Sequence, residues 1–69
     1  MTPAQRRVFH ALAELEASTG WPAPLDVVAA RAGLASRSTV MVHMDNLIRL
    51  GKVEHSRYRR GGYRIKAPA

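Results

Sequence analysis

Apolar residues recur along this chain at two periods, and the switch between them divides it. Val8, Phe9, Leu12 and Leu15 fall on one face at helical spacing. Thr2-Pro3-Ala4-Gln5 ahead of them is a helix start. Thr2 can cap, Pro3 suits the first helical position, and Gln5 can complete a capping box. The pattern predicts a helix from Pro3 to Thr19, with Gln5, Arg6, Glu14 and Glu16 toward water and Ser18-Thr19-Gly20 at its end. Trp21-Pro22-Ala23-Pro24 then reads as a stiff connector, because its prolines fix φ and hold the residues before them extended. Trp21 is expected to plug the gap beside a helix end. A second helix is expected from Leu25 to Ala32, with Leu25, Val28, Ala29 and Ala32 as its apolar side. Asp26 suits its positive N-terminus, and Gly33 ends it.

The stretch Ser36 to Gly51, SRSTVMVHMDNLIRLG, organises the rest. Val40, Met44, Leu47 and Ile48 share one helical face, while Ser38, Thr39, Val42, Asp45, Asn46 and Arg49 lie on the other. Gly51 suits a left-handed helix stop. The short turn Gly33-Leu34-Ala35 between the second and third helices makes a helix-turn-helix pattern, which any small helical hairpin would share. After Gly51 the period falls to two. Lys52-Val53-Glu54-His55 and Tyr63-Arg64-Ile65-Lys66 alternate as half-buried strands do, with Val53, Tyr63 and Ile65 toward the core. Ser56-Arg57-Tyr58-Arg59-Arg60-Gly61-Gly62 between them is a basic loop. A two-stranded hairpin is marginal alone, so it must pack on the helices. The expected fold is mostly α with a small β-hairpin (α+β). It is a single winged helix-turn-helix domain over residues 1–69, in the order helix, helix, helix, strand, wing, strand. Ala67-Pro68-Ala69 reads as a frayed tail or the start of a linker.

Composition narrows the function. A chain of 69 residues supports one small core with a few kcal/mol of net stability. The absence of cysteine excludes disulfides and thiolate metal sites. No apolar run approaches a membrane span, and MTPAQRR lacks a signal peptide's apolar stretch, so a cytoplasmic setting without membrane is expected. The net charge is +6, and its distribution matters more than its size. Through Leu50, Arg6, Arg7, Arg31, Arg37 and Arg49 nearly balance Glu14, Glu16, Asp26 and Asp45. Beyond it, Lys52, Arg57, Arg59, Arg60, Arg64 and Lys66 oppose Glu54 alone. A localised basic patch interleaved with Tyr58 and Tyr63 is the footprint of a polyanion binder, against the plainer reading of a solubilising tail.

Read as a DNA-contacting surface, these residues divide by chemistry. The major groove admits one α-helix; phosphate contacts supply affinity and base-edge contacts supply sequence preference. Ser36, Arg37 and Ser38 sit where free N–H groups and the helix dipole attract a phosphate. Ser38 and Thr39 can donate and accept hydrogen bonds to bases. Met41, Val42 and the Thr39 methyl suit thymine methyls, or alternatively pack against the wing or first helix. Asn46 and Arg49 lie further along and suit phosphates, and for Arg49 a surface ion pair is the bland alternative. In the wing, Arg57, Arg59 and Arg60 suit phosphates or the minor groove, and Tyr58 a phosphate or sugar edge. Arg6 and Arg7 read more simply as a solvated face. His10, His43 and His55 fall on separate elements with no i, i+4 pair, so no metal is expected. His43 is expected to be semi-buried, and His55 to lie near DNA or water. No cofactor and no catalytic constellation is expected either.

Several pieces together resemble the N-terminal DNA-binding domain of LexA-type SOS repressors, over residues 2 to 65. TPAQRRVF resembles that family's opening helix and TGWPAP its Thr-Gly-x-Pro-Pro connector. VAARAGLASRSTVMVH resembles its second helix, turn and start of the recognition helix. LIRLGKVE followed by GGYRI resembles the run into the wing and its return strand. The resemblance implies a DNA-binding repressor that reads an operator with the start of its third helix and binds as a dimer. The implied reading positions are Ser36, Ser38, Thr39, Met41 and Val42. Met41 and Val42 stand where family members commonly place polar or charged residues, and Arg37 where a proline is common. The family's self-cleaving domain, with its serine–lysine pair and dimer interface, lies outside these residues. The chain is therefore expected to be either a fragment of a larger repressor or a stand-alone relative of the kind mobile elements encode.

The expected function is thus a sequence-specific regulator of transcription, a repressor, with double-stranded DNA as partner and a homodimer on a two-fold site. A phage-type adaptor that binds RNA polymerase or another regulator protein through the same surface is the alternative. RNA or structure-specific DNA would use the same basic wing, although the lack of an aromatic stacking platform disfavours single strands.

Overall fold

The computed structural model describes residues 1–20, 22–56 and 62–66. It holds three helices, α1 (Pro3–Thr19), α2 (Leu25–Ala32) and α3 (Arg37–Arg49), followed by strands β1 (Val53–His55) and β2 (Tyr63–Ile65). The chain is a small, mostly helical α+β domain. Trp21, Arg57, Tyr58, Arg59, Arg60 and Gly61 lie outside the described residues, as do Ala67, Pro68 and Ala69.

Local chemistry sets each helix boundary. The Gln5 N–H donates to Thr2 Oγ1 at 3.2 Å, and Gln5 Oε1 accepts the Thr2 N–H at 3.1 Å. This capping box satisfies two N-terminal donors that the helix itself leaves unpaired. The third helix is a residue shorter at its start and two shorter at its end than the stretch Ser36 to Gly51. Ser36 is extended and caps, so Arg37 is the first helical residue. At the other end the Lys52 N–H donates to the Leu47 carbonyl and the Gly51 N–H to that of Ile48, both at 3.0 Å. That paired closure requires a left-handed residue, which Gly51 supplies at φ 74.

The core forms where the apolar faces meet. Leu12 and Val8 from α1, Val28 from α2, Val40, Met44 and Leu47 from α3 and Val53 from β1 are sealed from solvent. Each such side chain contributes about 1.5–3 kcal/mol relative to exposure. Phe9, Leu15, Leu25, Leu34, Ile48 and Ile65 pack around them half-buried. α1 touches α2, α3 and β2, so it is the central element.

The hairpin is antiparallel, with Val53 opposite Ile65, Glu54 opposite Arg64 and His55 opposite Tyr63. Its strands are three residues each, shorter than the four-residue alternations suggest. Tyr63 is buried, and its ring lies 5.1 Å from that of exposed His55. Glu16 does not simply face water. Its carboxylate accepts the Ile65 N–H at 2.9 Å and stands 3.7 Å from the Arg64 guanidinium. It thereby covers the edge of β2 that β1 leaves free.

Candidate nucleic-acid interface

α3 is inserted in the core along one side only. Val40, Met44 and Leu47 are buried, whereas Ser36, Arg37, Ser38, Thr39, Met41 and Val42 are all exposed. At 100° per residue, Ser38, Val42, Asp45 and Arg49 form the stripe opposite the core. Val42 is the most exposed large hydrophobic residue described, at 59%, and Met41 stands at 45%. The wing residues 57–61, against which the pair could alternatively pack, lie outside the described residues.

The hydroxyls at the helix start are partly committed. The Thr39 N–H donates to Ser36 Oγ at 3.3 Å, and the two side-chain oxygens share a hydrogen bond of 3.0 Å. Ser36 thus serves as the cap, and its oxygen is occupied by Thr39 in the free protein. The Ser38 hydroxyl makes no hydrogen bond to the described residues, and the residue is exposed. Arg37 stands exposed beside it, at the positive end of the helix.

Asn46 and Arg49 sit elsewhere. They line a cleft of about 490 Å³ with Met1, Thr2, Gln5 and Leu50, between the start of α1 and the end of α3. With a rise of about 1.5 Å per residue, Arg49 lies roughly 15 Å along the helix from Thr39. The residues expected at the site therefore form two groups, one at each end of α3. His43 is half-buried on the flank of the helix, and its Nδ1 is closed off from water without a partner among the described residues.

The hairpin's position beside this helix is fixed by β1 against α3 and by β2 against α1. The Ser56 N–H donates to the Gly62 carbonyl at 2.9 Å, which draws the ends of the basic loop together. Arg57, Tyr58, Arg59 and Arg60 belong to that loop and lie outside the described residues. Lys52 and Lys66 are exposed at the base of the hairpin, where the Lys66 N–H donates to the Lys52 carbonyl at 3.1 Å.

Asp45 is a member of the outward stripe that charge arguments alone pass over, because a carboxylate does not suit phosphate. It lies near the hairpin as well. Burial pushes the Tyr63 phenol above its ordinary value of 10.0, and the Asp45 carboxylate pushes it the same way. Among the described residues no His, Asp and Glu side chains gather into a metal-binding group, and no helix is long and apolar enough to cross a membrane. No family model, curated protein or solved structure matches this chain.

Proposed function

We propose that this domain is a sequence-specific, double-stranded DNA-binding regulator of transcription, a winged helix-turn-helix of the LexA-like repressor type. It lays the first turns of α3 in the major groove and grips phosphates or the minor groove with the basic loop between β1 and β2. The observation that carries this reading is the division of α3. Its inner face is sealed in the core, while every other side chain from Ser36 to Val42 is exposed. A helix presented this way has the diameter and the free N-terminal groove-facing surface that major-groove insertion needs. The charge supports it, because the excess of positive charge follows Leu50 in the sequence, in and between the two strands. Arg49 and Asn46, at the far end of the helix, suit phosphates rather than bases. A domain this small makes few contacts, so tight binding calls for a homodimer on a two-fold site.

The test is anisotropy binding to a labelled random-sequence duplex pool at two salt concentrations, with sequencing of the bound fraction. Enrichment of a motif, two-fold or half-site, is the expected result. Salt-sensitive binding without a motif would leave a DNA-gripping wing beside a helix that reads nothing. No binding at low salt would overturn the proposal.

The exposure of Met41 and Val42 favours a second reading. An apolar pair on an accessible helix also suits a protein partner, as in a small adaptor that docks on RNA polymerase or another regulator. A pull-down in nuclease-treated extract separates the two: a partner that survives the nuclease supports the adaptor, and loss of every partner counts against it.

A further inference from the structure

We propose that α3 selects duplexes through the 5-methyl group of a pyrimidine in the major groove, with Val42 and Met41 as the contacting side chains. This inference rests on the DNA-binding reading above and adds the chemical feature that is read.

The start of α3 is poor in groups for direct hydrogen-bond readout. Base discrimination by hydrogen bonds normally uses bidentate side chains, arginine or lysine on guanine and asparagine or glutamine on adenine. From Ser38 to Val42 there is none of these, and the one arginine of the first turn, Arg37, stands exposed at the helix N-terminus, where it suits a phosphate. Two of the three hydroxyls in the first turn are also spent on each other, since Ser36 Oγ and Thr39 Oγ1 lie 3.0 Å apart and Ser36 caps the helix. Ser38 is left as the free hydroxyl, one turn before Val42 on the same stripe.

What the surface offers instead is apolar. Val42, on the stripe opposite the core, is 59% exposed, and Met41, on the flank of α3, is 45% exposed. Covering such side chains is favourable in proportion to the apolar area removed from water. The C5-methyl group is the apolar feature that base edges display in the major groove. Asp45, one turn beyond Val42, adds an acceptor and no donor while ionised. It therefore suits an exocyclic amino group and disfavours the acceptor-rich edge of guanine. A methyl beside an amino group occurs on 5-methylcytosine, and across one base pair on thymine with adenine. The two sources share the methyl chemistry and are separated by experiment.

Four barcoded random duplex pools are prepared by polymerase extension with thymidine or deoxyuridine triphosphate, and with cytidine or 5-methylcytidine deoxynucleotides. They compete at low salt for the full chain, and bound barcodes are counted. The expected result is enrichment of the thymine pools over the deoxyuridine pools, or of the 5-methylcytosine pools over the cytosine pools, by about four-fold for each methyl covered. Which pair responds identifies the source. The double variant Met41→Ala, Val42→Ala should lose the preference, its recovery of methylated pools falling to that of the methyl-free ones, and should stay folded because both side chains are exposed and outside the core. Equal recovery of methylated and unmethylated pools overturns the inference and leaves the DNA-binding reading standing. So does a preference that survives in the double variant, since it would then come from duplex shape. Recovery of no pool at all overturns the DNA-binding reading itself.

Discussion

A carboxylate oxygen of Glu16, in the last turn of α1, accepts the backbone N–H of Ile65 in β2 at 2.9 Å. The second oxygen stands 3.7 Å from Arg64 Nε. A carboxylate in a helix's last turn faces the negative end of the dipole, so its local setting is unfavourable. What it gains is tertiary: it satisfies a strand-edge donor and ties the hairpin to the central helix. Glu16→Ala should lower stability by about 1–2 kcal/mol, because a part-buried N–H loses a charged acceptor. Glu16→Gln keeps an acceptor and should cost less. Arg64→Ala should change little, the ion pair being long and partly exposed. Urea midpoints at constant slope measure all three, and an unchanged midpoint for Glu16→Ala would show the hydrogen bond to be idle.

The two ends of α3 give a second pair of expectations. Ser36→Ala removes the cap and should cost about 1 kcal/mol, while Ser36→Asp should restore most of it. Gly51 stands at φ 74, and an added Cβ would meet nothing within 4 Å. Its substitution is therefore penalised by backbone conformation alone, about 1–2 kcal/mol for Gly51→Ala. Gly51→Asn should be milder, since asparagine tolerates the left-handed region better. Thermal melts by circular dichroism check the order.

Tyr63 makes the domain sensitive to alkali. Burial, and then the Asp45 carboxylate, disfavour its phenolate, so the folded-state pKa lies above the ordinary 10.0. The unfolded chain loses this proton first as pH rises. The stability that protonated Tyr63 contributes is therefore complete below pH 10.0 and is lost as pH climbs from there through the folded value. Melting temperature should fall above that pH, and Tyr63→Phe should flatten the fall. A variant that declines as steeply as the parent would assign the effect to other groups.

Replacing Arg57, Arg59 and Arg60 together by glutamine should weaken binding to every duplex sequence alike. The slope of log affinity against log salt should shrink by about one for each arginine that touched a phosphate. A loss confined to one sequence would instead place these arginines on base edges.

Much of the architecture was readable from short-range pattern. The capping box at Thr2 and Gln5, the stop at Gly51 and the apolar faces of α1, α2 and α3 all rest on residues within a few positions of one another. Helix formation uses the same range. The change from period three or four to period two after Gly51 likewise foretold the hairpin, though not how short its strands would be, because pairing ends where the partner strand does. The outward stripe of α3 was readable as a face. Whether Val42 on it and Met41 at its flank would be covered was not, since that depends on where α1 and the hairpin come to lie.

Glu16 marks the boundary between the two kinds of information. On its own helix it has the spacing of a solvated residue and an unfavourable dipole, and nothing near it in the chain names its partner. Its role exists because α1 crosses beside the free edge of β2 and brings together groups forty-nine positions apart. The cleft that Asn46 and Arg49 line has the same origin. Helix rise alone sets those two apart along α3 from Ser36, Thr39, Met41 and Val42, and the approach of the α1 start to the α3 end makes the cleft. Periodicity and caps follow from backbone geometry and travel with the chain. Cover, exposure and long-range hydrogen bonds follow from which elements pack together, and those arise when the core closes.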